Sequence, residues 1–365
     1  MAGWFVVFEA GLRLKGGSEA DPEFRQLFMD DDRIGYRLRP GARAHFKTPE
    51  FETDIVINSS GVRDDELGPK PGNERRIVVV GDSLVMSVQV PLEQTFTKRL
   101  EARLNASADR GPWRYRVVNA GVQGYGPVEQ RLFFEHVARK FDADVVLVAV
   151  FVGNDAVEAV TSSGKLAPDR SAAVVAREEA AIALRRIVRN SMVLQILRLR
   201  VSTLADRFRQ GQEISGPLLT YVASPPPDIA RGLDITRQCL ADIAAMARED
   251  GARTGLVLMP ARFQTDDGDF SRLEAILAQG GQTLVRDAAS LRFKEALAPL
   301  NLPMMDALDA LREAPRRQEL FFQQTVHLTP RGHEVVAEAL ERFVLASGLV
   351  GGRPGLPAPT QPTEH

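Results

Sequence analysis

The sequence predicts an α/β protein whose core is a parallel sheet of five strands. Short apolar runs, rich in β-branched residues, recur through the chain at residues 76–80, 115–119, 144–151, 254–259 and near 302–306. Segments with helical spacing separate them, and three of the runs end in glycine or polar residues. Strands alternating with helices form parallel sheets with right-handed crossovers. Ligands of such sheets bind beyond the carboxyl ends of the strands.

Taken in order, residues 4–8 (Trp4, Phe5, Val6, Val7, Phe8) are apolar, but Glu9 and Arg13 follow at once. Crossing a bilayer takes about 20 apolar residues. The run is therefore either a short surface helix or the tail of an anchor that begins upstream. Residues 20–72 are rich in Asp, Pro and Gly, with extended stretches around 42–48 and 54–58 and a turn at Asn58-Ser59-Ser60-Gly61. Residues 1–72 thus form an N-terminal extension with a small β-rich part.

Arg76-Ile77-Val78-Val79-Val80 is the first buried strand. Phe96, Leu100 and Leu104 are spaced by four on a helix over 95–105, and a second helix covers 127–140. The third strand, ending at Phe151, is the most apolar. Residues 156–227 are a helical insertion dense in arginine (Arg185, Arg186, Arg189, Arg198, Arg200, Arg207, Arg209), closed by Pro225-Pro226-Pro227. It is either a solvated lid helix or a peripheral contact with anionic lipid head groups or an anionic polymer. A helix over 228–250 and helical material at 270–298 follow. The last helix opens at Thr329-Pro330, with threonine as cap and proline at the first helical position. The main domain spans 73–349, and 350–365 is expected to be a disordered tail.

The 365 residues suffice for one large core, or one core with a smaller unit. A formal net charge of −2 gives no electrostatic drive toward nucleic acid. Cys239 is the sole cysteine, which excludes an internal disulfide, and it sits in an apolar helical pattern as a buried thiol. No metal-ligand cluster, Walker-type loop or dinucleotide fingerprint is present, so no cofactor is expected.

Chemistry gathers at the strand ends. Gly81-Asp82-Ser83-Leu84 follows the first strand, Asn119-Ala120-Gly121 and then Gly124 the second, and Gly153-Asn154-Asp155 the third. His327-Leu328-Thr329 stands before the last helix. A serine hydroxyl needs an adjacent base to act as nucleophile, and the oxyanion it creates needs aimed donors. Ser83 is the expected nucleophile and His327 the base. The N–H groups of Ser83 and Gly121 with the Asn154 amide are the expected oxyanion hole. Asp82 is expected to stabilise the turn rather than to catalyse, and His333 is the rival base.

These four blocks, in this order, resemble the SGNH hydrolases, or GDSL esterases and lipases, over roughly residues 75–347. The resemblance implies a flavodoxin-like doubly wound sheet, with Ser83 as nucleophile, Gly121 and Asn154 as oxyanion donors and His327 as base. Residues 34–64 look like the N-terminal extension of bacterial members, which often carry a membrane anchor before it. The chain departs from the pattern at Gln324, where the family places an Asp three residues before the base. That Asp orients the imidazole and stabilises its charged form. Gln324 can orient the ring but carries no charge. Three arrangements are open: a Ser–His dyad oriented by a backbone carbonyl, a carboxylate from Asp306, Asp309 or Glu319, or a feeble site.

The function expected is therefore hydrolysis of a carboxylic ester through an acyl-Ser83 intermediate. Its substrate is expected to be an acylated small molecule or polysaccharide, with a small acyl group such as acetyl on a carbohydrate or cell-envelope target. The alternatives are a polysaccharide O-acetyltransferase using the same residues, and a non-catalytic glycan- or partner-binding module. An upstream anchor places the chain outside the cytoplasm; without one it is cytoplasmic.

Overall fold

A computed structural model of the chain describes residues 22–107, 111–166 and 217–350. The Arg-rich stretch 185–209, the apolar run 4–8 and the expected tail after residue 350 lie outside the described residues.

The N-terminal part holds helix α1 (Pro22–Arg25) and two antiparallel hairpins. Strands β1 (Phe28–Asp31) and β2 (Gly35–Leu38) pair in one, β3 (Arg43–Lys47) and β4 (Glu52–Val56) in the other. The β3–β4 hairpin alternates exposed and buried residues, as a strand with one packed face must. Strand β5 (Glu74–Gly81) leads into helices α2 (Ser83–Met86) and α3 (Phe96–Ala106). Strand β6 (Arg114–Gly121) precedes α4 (Pro127–His136), and β7 (Val145–Phe151) precedes α5 (Asp155–Ser162). The long α6 (Pro227–Glu249) runs into β8 (Arg253–Met259), then α7 (Asp267–Gln279) and α8 (Ala288–Leu297). A three-residue β9 (Met304–Asp306), α9 (Ala307–Glu313) and α10 (Pro330–Ala346) complete the fold.

Strands β5 to β9 form one parallel sheet in the order β6-β5-β7-β8-β9. Counted from the first, this is 2-1-3-4-5, the flavodoxin-like doubly wound order. Every residue of β5 and β7 is buried, which accounts for the unbroken apolar runs Ile77–Val80 and Val145–Phe151 in the sequence. Hairpin residues Leu27, Ile34, Leu38, Phe46 and Ile55 belong to the same continuous apolar core as the sheet. Cys239 lies fully buried on α6, where burial pushes its thiol up to about 12.

Three expectations need adjustment. The β1–β2 hairpin adds a pair of strands that the sequence pattern does not mark. Helical material at 270–298 divides into α7 and α8 at Gly280-Gly281, Gly281 taking a φ of +71°. The helix over 127–140 ends at His136 and continues only as a 3-10 turn, Ala138–Phe141. Among the described residues no helix is long and apolar enough to cross a membrane.

Candidate active site at the carboxyl edge of the sheet

In the 2-1-3-4-5 order the chain reverses direction of winding between β5 and its neighbours. The crevice beyond the carboxyl ends there is where such sheets hold ligands. Ser83 follows β5, and Asn154 follows β7, its hydrogen-bonded neighbour. Gly121 ends β6 on the other side, paired in register with Gly81. Three of the candidate residues thus come from adjacent strand ends.

Ser83 opens α2, a single turn. Asp82 caps it, its carboxylate accepting the Leu84 N–H at 2.8 Å. The turn is held from two further sides. Asn119 Nδ2 donates to the Val85 carbonyl at 2.7 Å. The guanidinium of Arg63, only 1% exposed, donates to the carbonyls of Met86, Ser87 and Val90 at 2.5–2.9 Å. These bonds satisfy carbonyls that a helix end leaves without partners. Ser83 itself is half-buried, and its N–H makes no hydrogen bond among the described residues. A serine at a helix N-terminus, with a free amide beside its hydroxyl, suits attack on a carbonyl and capture of the resulting oxyanion.

Gly121 does not serve as expected. Its N–H donates to Asn119 Oδ1 at 3.2 Å, and the residue is buried beneath the Ser83 turn. A Cβ there would lie 2.3 Å from Met86 N and 2.6 Å from Val85 Cβ. Its glycine is required so that two backbones can touch, and its amide is engaged by Asn119. Gly124, three residues on, is exposed, has a φ of +75°, and its N–H is unpaired among the described residues. It is the better-placed donor.

Asn154 donates through Nδ2 to Glu158 Oε1 at 2.8 Å, one helical turn ahead. The second Nδ2 hydrogen remains for a ligand, and Asn154 Oδ1 is buried without a partner among the described residues. Behind it lies a group of buried carboxyls, Asp82, Glu129, Asp155 and Glu158. Burial first, then the charge of its neighbours, pushes Glu158 up to about 7 and Asp155 well above the carboxylate range. Burial raises Asp82 to about 6. Burial and mutual charge thus favour the neutral forms of Asp155 and Glu158. No group of three His, Cys, Asp or Glu among the described residues could hold a metal ion.

His327 reaches the same edge from the far end of the chain. It lies in a tight loop closed by the Phe322 N–H bonded to its own carbonyl at 3.0 Å and by a bridge between Phe321 and Leu328. The neighbouring loop residues Gln323–Val326 line a cavity of about 520 Å³ shared with Gly153, Asn154 and Tyr221. At the start of α10, His333 accepts the Phe96 N–H at 3.2 Å, which brings that helix onto the start of α3. His333 is fully buried and committed to this bond, so it is not the base.

Both ring nitrogens of His327 are buried and meet no hydrogen-bond partner among the described residues. Burial lowers its pKa to about 4, so the ring is neutral at pH 7, as a general base must be. No hydrogen bond joins it to Ser83, and neither residue lines the cavity that Asn154 shares with Gln323–Val326. Gln324 does not orient the ring, because its side chain is exposed and makes no hydrogen bond among the described residues. Of the three candidate carboxylates, Asp306 caps α9 and pairs with Lys294 at 2.7 Å, Glu319 lies near Arg316 and Arg331, and Asp309 is exposed in the first turn of α9.

No family profile and no curated protein matches the sequence. Solved structures do resemble the fold. A lipase/acylhydrolase from Enterococcus faecalis is 16% identical with a TM-score of 0.40, covering 74% of this chain and 96% of its own. An acetylxylan esterase from Geobacillus stearothermophilus is 13% identical with a TM-score of 0.41, covering 76% of this chain and 95% of its own. A lipolytic protein of the G-D-S-L family from Desulfitobacterium hafniense is 12% identical with a TM-score of 0.39, covering 73% of this chain and 98% of its own.

Proposed function

We propose that this chain is a serine esterase of the SGNH hydrolase type. Ser83 attacks the ester carbonyl, His327 takes the hydroxyl proton and returns it to the leaving alcohol, and water then releases the acyl group from Ser83. The Ser83 N–H, the Gly124 N–H and the Asn154 amide hold the oxyanion. One observation carries the reading: a capped serine turn with a free amide sits beside Asn154 at the point where the winding of the sheet reverses.

The substrate class is a small acyl ester, such as acetyl, on a carbohydrate or cell-envelope polymer. The cavity of about 520 Å³ beside Asn154 is walled mainly by Phe151, Leu218, Tyr221, Phe263 and Leu273, and its charged residues Arg262, Arg272 and Asp269 are paired with one another, so it suits the apolar face of a substrate. Hydrolysis of an aryl acetate, lost in Ser83→Ala and in His327→Ala, is the test. A purified wild-type chain that hydrolyses no ester would refute the reading. A second reading, a glycan-binding module without catalysis, draws on the His327 ring lacking an orienting carboxylate. Acetylated-glycan binding with no turnover would favour it.

A further inference from the structure

The loop that carries His327 is gripped by a part of the chain far from it in sequence. The β3–β4 hairpin turns at Thr48-Pro49-Glu50-Phe51. Proline suits the second position of such a turn, and a threonine hydroxyl stabilises the first. Thr48 N–H donates to the Phe51 carbonyl at 2.8 Å, and Thr48 Oγ1 accepts the Glu50 and Phe51 N–H groups at 3.2 and 3.1 Å. The turn is built by its own residues and projects Glu50.

Glu50 meets the histidine loop with both oxygens. Its Oε1 accepts the Gln323 N–H at 2.7 Å and its Oε2 the Gln324 N–H at 2.9 Å. Next to this contact the Phe51 and Phe322 rings pack with centroids 5.4 Å apart. From the opposite side Arg262, which follows β8, donates to the carbonyls of Phe322 and Gln323 at 2.8 and 2.6 Å. A carboxylate thus takes the loop's donors while a guanidinium takes its acceptors. Hydrogen bonds with one ionised partner are about twice as strong as neutral ones.

This grip falls on the segment just ahead of a base whose ring meets no hydrogen-bond partner among the described residues. We infer that Glu50 is a positioning residue for His327: the N-terminal hairpin fixes the backbone of the histidine loop where the family pattern fixes the imidazole through an aspartate. The inference rests on the esterase reading. It assigns the extension a catalytic purpose, because the base is aimed only while the hairpin stays docked.

The test compares wild type with Glu50→Ala and Glu50→Gln. It reads kcat and KM on an aryl acetate, amide hydrogen exchange in the peptide spanning residues 320–328, and thermal melting. Displacing a catalytic group by about 1 Å costs on the order of 100-fold. Glu50→Ala should therefore lower kcat on the order of 10- to 100-fold with KM changed by less than about twofold, and should speed exchange in the loop. Glu50→Gln keeps one acceptor oxygen and should fall between, and it carries the test if the alanine variant does not fold. Faster loop exchange with kcat within about twofold of wild type overturns the positioning role. Unchanged exchange overturns the clamp itself. A wild type without esterase activity defeats the esterase reading and the positioning role together, while exchange still reports on the clamp.

Discussion

Substituting Gly121 by alanine separates two roles that one glycine at this position could have. If its amide bound the oxyanion, an added methyl that left the amide in place would be tolerated. In the structure the methyl has no room. Its carbon would sit 2.3 Å from Met86 N and 2.7 Å from the Val85 carbonyl carbon, where ordinary contact begins at 3.4 Å. The shortfall is about 1 Å, and the obstructing atoms are Met86 N, the Val85 carbonyl carbon and Val85 Cβ, none of which moves without the backbone. The α2 turn must move away from β6, taking Ser83 with it and straining the bond from Asn119 to Val85. Overpacking of this kind costs about 1–3 kcal/mol of stability. A shift of about 1 Å in the nucleophile costs on the order of 100-fold in rate, close to 2.7 kcal/mol. Gly121→Ala should thus lower the melting temperature by several degrees and kcat on the order of 100-fold. The assay is thermal melting alongside aryl-acetate kinetics at saturating substrate. A folded variant with kcat within about twofold of wild type would show that the serine turn is not seated on Gly121.

Other expectations concern protonation and the buried Arg63. Because burial lowers the His327 pKa to about 4, kcat/KM should rise with pH through about 4 and then level. An acid limb near 6.5 would mean that a carboxylate supports the ring after all. Glu158 is raised in the fold to about 7, so the fold favours its neutral form, and that contribution is lost as pH rises through 7. Glu158→Gln keeps an acceptor for Asn154 and should gain stability over wild type above pH 7 but not below 4.5, read as urea midpoints. An equal midpoint difference at pH 4 and pH 8 would contradict the assignment. Arg63→Met orphans the carbonyls of Met86, Ser87 and Val90, at about 1–3 kcal/mol for each acceptor left buried. Both the urea midpoint and kcat should fall; a midpoint equal to that of wild type would be inconsistent with the bonds described.

Much of this arrangement was legible in the sequence, for a physical reason. Buried parallel strands need unbroken apolar residues, so runs such as Ile77–Val80 and Val145–Phe151 declare themselves, and with them the residues just past their ends. Strands β1 and β2 are hidden because Asp30, Asp31 and Arg37 give short four-residue segments the look of loops. The choice between Gly121 and Gly124 as oxyanion donor turns on the direction of a side chain, which residue spacing does not report: Asn119 Oδ1, two residues back, captures the Gly121 N–H. Gln324 was a reasonable orienter by spacing, yet its backbone is drawn toward Glu50 and its side chain left outside. Arg63 and Glu50 carry no local pattern at all. They matter through partners 23 to 27 and 273 to 274 positions away, which periodicity cannot report.

The central claim is that the Ser83 hydroxyl is a nucleophile, and covalent capture tests it most directly. Incubating the intact chain with a fluorophosphonate and mapping the adduct by peptide mass spectrometry should find one modification, on Ser83, absent from Ser83→Ala and slowed in His327→Ala. An unmodified Ser83 after prolonged exposure, or an adduct on a different serine, would contradict the account.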